Sequence, residues 1–328
     1  MSGAPVIFDL RGKRVFVAGH AGMAGSAIMR RLEREDCDII FALRRDLDLR
    51  QADAVERFMA QAKPDAVFVA AGKVGGIRAN ATLPADFLAD NVAIALNIIH
   101  AAHRCAVKKL VYLGSSCIYP RLAPQPMSPD MLLTGPLEPT NQWYAIAKIV
   151  GIKLCEAYRL QHGADFVSVM PTNLYGPGDN YHPDDSHVPA ALLRRFHEAK
   201  INGEPSATVW GTGSPRREFL AADDLADACV FVMKCYSDLP FLNIGTGEDL
   251  TIADFARIVA DVVGYRGKIT FDPSQPDGAP HKLLDVSRIN ELGWRATIPL
   301  RDGLQRMYAD FLERYDAIRA DAERQPTH

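Results

Sequence analysis

Short apolar runs alternate with longer amphipathic stretches through the first half of the chain. RVFVAG (14–19), CDIIFAL (37–43), DAVFVAA (65–71), KLVYLGSS (109–116) and DFVSVMP (165–171) are rich in Val, Ile, Leu and Phe and predict strands. The stretches 22–35, 51–63, 86–107 and 141–162 predict helices between them. Near-continuous hydrophobic strands alternating with helices imply a parallel sheet buried on both faces. Right-handed crossovers then give a Rossmann-type, doubly wound α/β fold with ligands at the carboxyl ends of the strands.

The second half is less regular. PTNLYGPGDNYHPDDSH (171–187) is dense in turn formers and predicts a loop, followed by a helix near 188–200. ATVWGTGSPRREFL (207–220) predicts a strand and a loop leading into a helix near 222–236. FLNIGTGEDLT (241–251) predicts a strand and turn, with Thr251 placed to cap the next helix. The tail after about 318 reads as frayed.

The 328 residues, 48% hydrophobic and 23% charged, fit a globular protein with one large α/β domain and room for a smaller companion. A net charge of −3 without a long basic run argues against nucleic acid as a partner. Cys37, Cys105, Cys117, Cys155, Cys229 and Cys235 form no CxxC pair, and no Cys/His cluster has zinc spacing, so no metal site is expected. Scattered thiols, a start without a signal-peptide pattern and no apolar run of about 20 residues make a cytoplasmic, membrane-free protein the expectation.

Candidate chemistry begins at VFVAGHAGMAG. Gly19, Gly22 and Gly25 follow a strand and open a helix, as a tight turn under a pyrophosphate requires. The second strand ends FALRRDLDL, with Arg44 and Arg45 where a ribose 2′-phosphate would sit, which favours NADP(H) over NAD. Asp48 and Leu49 border the expected adenine. In NQWYAIAK, Tyr144 stands four residues before Lys148 on one helix face. A lysine ammonium there is expected to lower the phenol's pKa and make it a usable acid or base. Ser115, at the end of the fourth strand, completes the constellation, and Cys117 lies two residues beyond it.

With these residues the chain resembles the extended short-chain dehydrogenases/reductases, and within them the GDP-L-fucose synthase family. AGHAGMAGSAI, KVGGI, LGSSCIYP, LEPTN, VMPTNLYGP, VWGTG and LGW carry the resemblance from about residue 13 to 315. It implies C3/C5 epimerisation of GDP-4-keto-6-deoxy-D-mannose, then NADPH-dependent reduction at C4, by a homodimer. Ser115, Tyr144 and Lys148 would be the reductase triad, and Cys117 and His187 the epimerisation acid and base, with His182 a nearby competitor. Met23, Pro171, Asn173, Leu174 and His187 would join Gly19, Gly22, Gly25, Arg44, Arg45, Asp48, Leu49, Tyr144 and Lys148 around the cofactor. Ser116, Asn173, Arg195, Trp210, Arg217 and Lys282 would bind the GDP-sugar, and Lys73 is a further candidate near the reacting end. Residues 1–172 with 219–246 would form the NADP(H)-binding domain, and 173–218 with 247–328 a smaller mixed α/β GDP-sugar-binding domain. Ala21 departs from the arginine of the bacterial enzymes, Gly178 from a common histidine and His281 from an expected arginine. Rival readings are a nucleotide-sugar 4-epimerase, 4,6-dehydratase or 4-reductase, and a silent NADPH-binding scaffold. Paired helices 86–107 and 141–162 are the expected dimer face, with Ile94, Ile98 and Ile152 available to it or to the sheet.

Overall fold

A computed structural model describes residues 4–183 and 186–324. The predicted strands form as β1 (Arg14–Ala18), β2 (Asp38–Ile40), β3 (Ala66–Val69), β4 (Lys109–Leu113) and β5 (Phe166–Pro171). Among them run α1 (Met23–Leu32), α2 (Ala52–Ala62), α3 (Ile77–Thr82), α4 (Pro84–Arg104) and α5 (Gln142–His162). The chain continues through β6 (Asn173–Tyr175), α6 (Val188–Ile201), β7 (Ser206–Trp210), β8 (Arg216–Ala221) and α7 (Ala222–Cys235). It then forms β9 (Leu242–Ile244), β10 (Asp249–Thr251), α8 (Ile252–Val263) and β11 (Lys268–Asp272). β12 (His281–Lys282), α9 (Ser287–Glu291) and α10 (Leu300–Arg324) complete it.

The main sheet is all parallel, in the order β2-β1-β3-β4-β5-β9. Every residue of β3, β4 and β5 is buried, which is why these strands read as continuous hydrophobic runs. Helix α1 packs beside α7, and α4 beside α5 and α2. The strand order reverses between β1 and β3, which opens a crevice at their carboxyl ends. A second assembly holds β10-β8-β12 with β6 on β8, and a separate β11–β7 pair. Its core is its own: Tyr175, Phe196, Phe219, Phe255 and Phe311 pack under α6, α8 and α10. Thr251 caps α8 as expected, accepting the Asp254 N–H at 3.0 Å, an interaction typically worth about 1 kcal/mol.

Five expectations are corrected. The helix expected over 86–107 starts earlier and is preceded by a separate short helix, α3. Pro84 opens α4, and Leu83 before it is driven out of the helical region, at φ −124° and ψ 49°. The expected loop 171–187 contains β6, and 216–221 is strand rather than loop. The tail is helical through Arg324 instead of frayed after 318. Finally, α4 is long and apolar enough, by length and composition, to cross a membrane, contrary to the reading that no run approached that size. Its Phe87, Ala95, Ile98, Ile99, Ala101 and Ala102 are buried within this fold. Ile98 and Ile152 pack in the core and are not available to a dimer face, while Ile94 is half-buried.

Candidate active site

The glycine turn is built for close backbone approach. Gly19 has φ +87°, and a Cβ there would lie 2.6 Å from the Ala71 backbone. A Cβ on Gly25 would collide with the Gly19 carbonyl, so the first turn of α1 packs directly on the end of β1. Gly22 is the N-cap of α1 and Met23 its first residue, so bare backbone N–H groups face the crevice. This cradle, with no room for side chains, fits a dinucleotide pyrophosphate. Past β2, Arg44 and Arg45 are both exposed, and Arg45 lies only within 3.9 Å of Asp46. Asp48 is held by Arg50 at 2.7 Å, which lowers its carboxyl pKa to about 2, and the Leu49 carbonyl accepts from Asn97. The His20 ring lies 4.7 Å from that of exposed Phe41, tilted by 38°, between the ends of β1 and β2, a contact that no sequence spacing reveals.

At the carboxyl end of β4 the chain enters a short 3-10 turn, Ser116–Ile118, which buries Ser116 and Cys117. Ser115 immediately precedes this turn as its N-cap residue. Helix α5 brings Lys148 beneath them. Its ammonium is 4% exposed, donates to the Leu113 carbonyl at 2.9 Å, and lies 5.1 Å from the Tyr112 ring and 5.7 Å from the Tyr144 ring. Burial lowers the Lys148 pKa to about 8. The Tyr144 phenol is pushed up, by burial first and then by Cys117, rather than down as its spacing from Lys148 suggested. Lys148 directs its proton at a carbonyl, and desolvation of the phenol outweighs a partly spent charge. Tyr144 therefore holds its proton at neutral pH and is poised as an acid. Burial also raises the Cys117 thiol, against the pull of Lys282, Ser115 and Lys148.

His187 is the N-cap residue of α6. Its side chain touches solvent, yet the protein mass around it lowers its pKa and keeps the imidazole neutral. The competing His182 hangs by its backbone N–H from the Asn180 side chain in the same loop. Lys73 lies 5.7 Å over the Phe87 ring, which packs edge-on against Tyr144. It pairs with Asp86 at 2.8 Å, and its backbone is clamped by the buried Asn91 amide at 2.8 and 3.0 Å. Pro171 ends β5, and Asn173 and Leu174 begin β6, with the Asn173 amide donating to the Glu218 carbonyl at 2.8 Å.

The second assembly supplies cations. Arg195 lies 5.4 Å over the Trp210 ring and donates to the Thr208 carbonyl. Arg217 donates to the Asp277 carbonyl at 3.2 Å, and Asp277 in turn holds Thr212 by its N–H and hydroxyl, each at 2.8 Å. Lys282 is the register partner of Arg217 across parallel β12 and β8. The sequence reading missed Asp277, although the motif PDG contains it. His281, the departure beside Lys282, is tied to Asp249.

The NAD dependent epimerase/dehydratase family model matches residues 15–245. The chain belongs to that family. Within it, the chain is 56% identical over 302 residues to GDP-L-fucose synthase 1 of Arabidopsis thaliana, covering 92% of this chain and 93% of that one. It is 54% identical over 317 residues to GDP-L-fucose synthase of Escherichia coli (strain K12), covering 94% and 99%. The crystal structure of a GDP-L-fucose synthetase from Naegleria fowleri bound to NADP superimposes with a TM-score of 0.86 at 27% identity, covering 96% and 98%. In this epimerase/dehydratase fold the loop ahead of His187 carries one unusual charge. Asp179 is 9% exposed, its Oδ2 has no hydrogen-bond partner, and burial beside Asp310 raises its pKa to about 7 despite Arg314.

That shift has a definite sign. The native state holds the Asp179 proton more tightly than the unfolded chain, so its ionisation destabilises the fold progressively from about pH 4 to about pH 7. Asp179→Asn should therefore be more stable than wild type at about pH 8, by up to a few kcal/mol, and lose that advantage near pH 4. Urea unfolding at the two pH values measures it. An equal difference at both would refute the assignment.

Proposed function

We infer that the chain is a GDP-L-fucose synthase, an oxidoreductase and epimerase acting on GDP-4-keto-6-deoxy-D-mannose. The observation that carries this reading is a buried thiol, Cys117, in the same pocket wall as Ser115, Tyr144 and Lys148. A reductase needs only the last three; the thiol adds proton exchange. A 4,6-dehydratase wants an acid–base carboxylate beside the catalytic serine, and Ser116 and Cys117 stand there instead.

The ketone at C4 acidifies the hydrogens at C3 and C5. Inverting either centre removes a proton from one face and returns one to the other. In our reading Cys117 and His187 do this. Burial keeps the thiol protonated and the imidazole neutral, so together they have one proton to give and one nitrogen to receive. Ser115 and Tyr144 stabilise the enolate oxygen, and the same site serves the later alkoxide, because both tasks put negative charge on one atom. When bound, a reduced nicotinamide supplies the hydride for C4. Tyr144 then gives its phenolic proton to the C4 oxygen, and Lys148 stabilises the phenolate left behind. Arg195, Arg217 and Lys282 hold the diphosphate, with Trp210 packed on a ring of the GDP-sugar.

We assign residues 1–172 with 219–246 to NADP(H) and 173–218 with 247–328 to the GDP-sugar. The preference for NADPH over NADH rests on Arg44 and Arg45. A cytoplasmic homodimer completes the proposal. Its face would use the stripe Leu88, Val92 and Leu96 on α4 with Ile146 and Val150 on α5, all half-buried or exposed.

Tyr144→Phe should abolish NADPH oxidation while solvent deuterium still enters the ketosugar. Cys117→Ala should do the reverse, with deuterium uptake falling steeply and any residual reduction giving an unepimerised GDP-6-deoxyhexose. Mass spectrometry of the recovered sugar, beside NADPH absorbance, reads both; wild-type exchange in Cys117→Ala would return that residue to core filler. Replacing Arg44 and Arg45 by Ala should weaken NADPH binding by roughly tenfold or more per arginine and leave NADH nearly unchanged. An unchanged ratio places the 2′-phosphate elsewhere. Light scattering at micromolar concentration should give twice the chain mass, and a monomer mass would sink the dimer.

A further inference from the structure

A lysine ammonium that is only 4% exposed needs more than one hydrogen bond to stay charged. Lys148 carries three N–H donors when protonated. The structure gives it the Leu113 carbonyl at 2.9 Å. The residue before that carbonyl is Tyr112, and the ammonium lies over its ring, 5.1 Å from the centroid. Tyr112 has no part in the chemistry above. It stands within the parallel sheet on β4, 2% exposed, with Val69 and Ser168 as its register partners on β3 and β5. Both are small, which leaves room for a ring on that face.

Helix α5 holds the ring from the other side. Gly151 follows Lys148 by three residues, on the same face of the helix. A Cβ on Gly151 would strike Cζ and the hydroxyl of Tyr112, so the ring packs directly on the α5 backbone one turn beyond the lysine. Two adjacent residues of β4 thus hold the ammonium, Leu113 by its carbonyl and Tyr112 by its π face. The Tyr144 ring, at 5.7 Å, is a further aromatic neighbour on α5 itself. From the loop after β3 the approach is uncharged: a Cβ on Gly72 would lie 3.7 Å from the ammonium and 2.9 Å from the Asn91 amide oxygen. Cys117, in the turn after β4, is the titratable group that acts on Lys148, and among the described residues no carboxylate counters its charge.

We propose that Tyr112 is a positioning residue for Lys148: the face of its buried ring holds the ammonium by a cation–π contact in place of a carboxylate, so that the lysine stays charged beside Tyr144. A carboxylate would draw the ammonium into an ion pair and away from the phenolate it has to stabilise. A π face favours the cation without that competition. The margin is narrow, because burial already brings the Lys148 pKa down to about 8. The contact favours the charged form, so its loss moves the midpoint lower still and leaves mostly neutral amine near pH 7.5. This role rests on the reductase reading above; the contact itself does not.

The test is an NMR titration of the full chain, labelled with carbon-13 at lysine Cε and free of substrate, with the Lys148 signal assigned by its loss in Lys148→Arg. Tyr112→Phe keeps the ring and should leave the midpoint within about 0.3 of a pH unit of wild type. A single fluorine on that phenyl ring, and then a fully fluorinated ring, drain the π face of charge at nearly constant shape. They should lower the midpoint in steps, by about one pH unit overall. Tyr112→Leu should lower it by a similar amount, and the fluorinated series remains informative if the leucine variant fails to fold. In each variant the alkaline limb of NADPH oxidation with GDP-4-keto-6-deoxy-D-mannose should move down with the midpoint. A midpoint that does not respond to fluorination overturns the proposal. So does activity that falls by the same factor at every pH with the limb unmoved, which is what a merely structural tyrosine would give. A fluorine-dependent midpoint in a chain that does not oxidise NADPH would sustain the contact and overturn the reductase reading instead.

Discussion

A fully buried carboxylate, Glu218, is the constraint on which the substrate side depends. It is 0% exposed on β8, between Arg217 and Phe219. Its Oε1 accepts the Gly247 N–H at 2.8 Å and the Thr246 hydroxyl at 3.5 Å, and its Oε2 accepts the Leu284 N–H at 3.1 Å. Its carbonyl takes the Asn173 amide at 2.8 Å and the Thr172 hydroxyl at 3.2 Å. One residue therefore fastens the end of β5, the start of β6, the β9–β10 turn and the segment after β12. A Cβ on Gly245 would strike the carboxylate, so the turn has to be glycine at its closest point. Burial raises the Glu218 pKa even against these donors, which marks how much of the group's hydration the fold removes. The gain is placement: Arg217 precedes the anchor by one residue, and Lys282 lies two residues before Leu284.

Desolvation sets the chemistry on the other wall as well. Tyr144, Cys117, Lys148 and His187 are all shifted toward their neutral forms by the protein around them. A phenol and a thiol that keep their protons sit together where β4 meets α5, and the neutral imidazole of His187 stands exposed at the start of α6. The phenol and thiol are then sensitive to the charge that develops on the sugar, because little water screens it. On the proposed reading, this lets one oxyanion position serve enolate and alkoxide alike.

How much of this was legible in the sequence follows from which interactions are local. Strands β3 to β5 are buried on both faces and β1 at all but its first residue, so their hydrophobic runs carry the signal unaided, whereas the edge strand β2 is at most half-buried. Tyr144 and Lys148 share a helix face, and Ser115 and Cys117 share a turn, so spacing alone brings each pair together. β8 was missed because it begins Arg216-Arg217-Glu218, and no hydrophobic period reveals a buried glutamate whose donors lie about 30 and 66 residues away. β6 was missed for a similar reason: its three residues owe their strand geometry to pairing with β8. The expected fall in the Tyr144 pKa failed because spacing gives the neighbour but not the burial, and burial dominates here. Ile98 and Ile152 were ambiguous since a helix between a sheet and a second helix is apolar on more than one side.

The cations of the second assembly complete the argument. Arg195, Arg217 and Lys282 all have their pKa values pressed down by burial. Much of their hydrogen bonding goes to neutral carbonyls, Thr208 for Arg195 and Arg216 and Asp277 for Arg217. A carbonyl satisfies a donor but does not neutralise its charge, so the positive charge of the wall is offset only in part, by Asp277 near Arg217 and Glu198 near Arg195. In our reading a nucleoside diphosphate supplies the remaining counter-charge, and a neutral sugar does not. The cost of desolvating these groups is met when the chain folds, so a dianion binding there gains charge-assisted hydrogen bonds without first having to strip the cations of water. On that reading, selectivity for a nucleotide-linked sugar depends on where β8 and β12 are anchored, and so on the buried Glu218 carboxylate of β8.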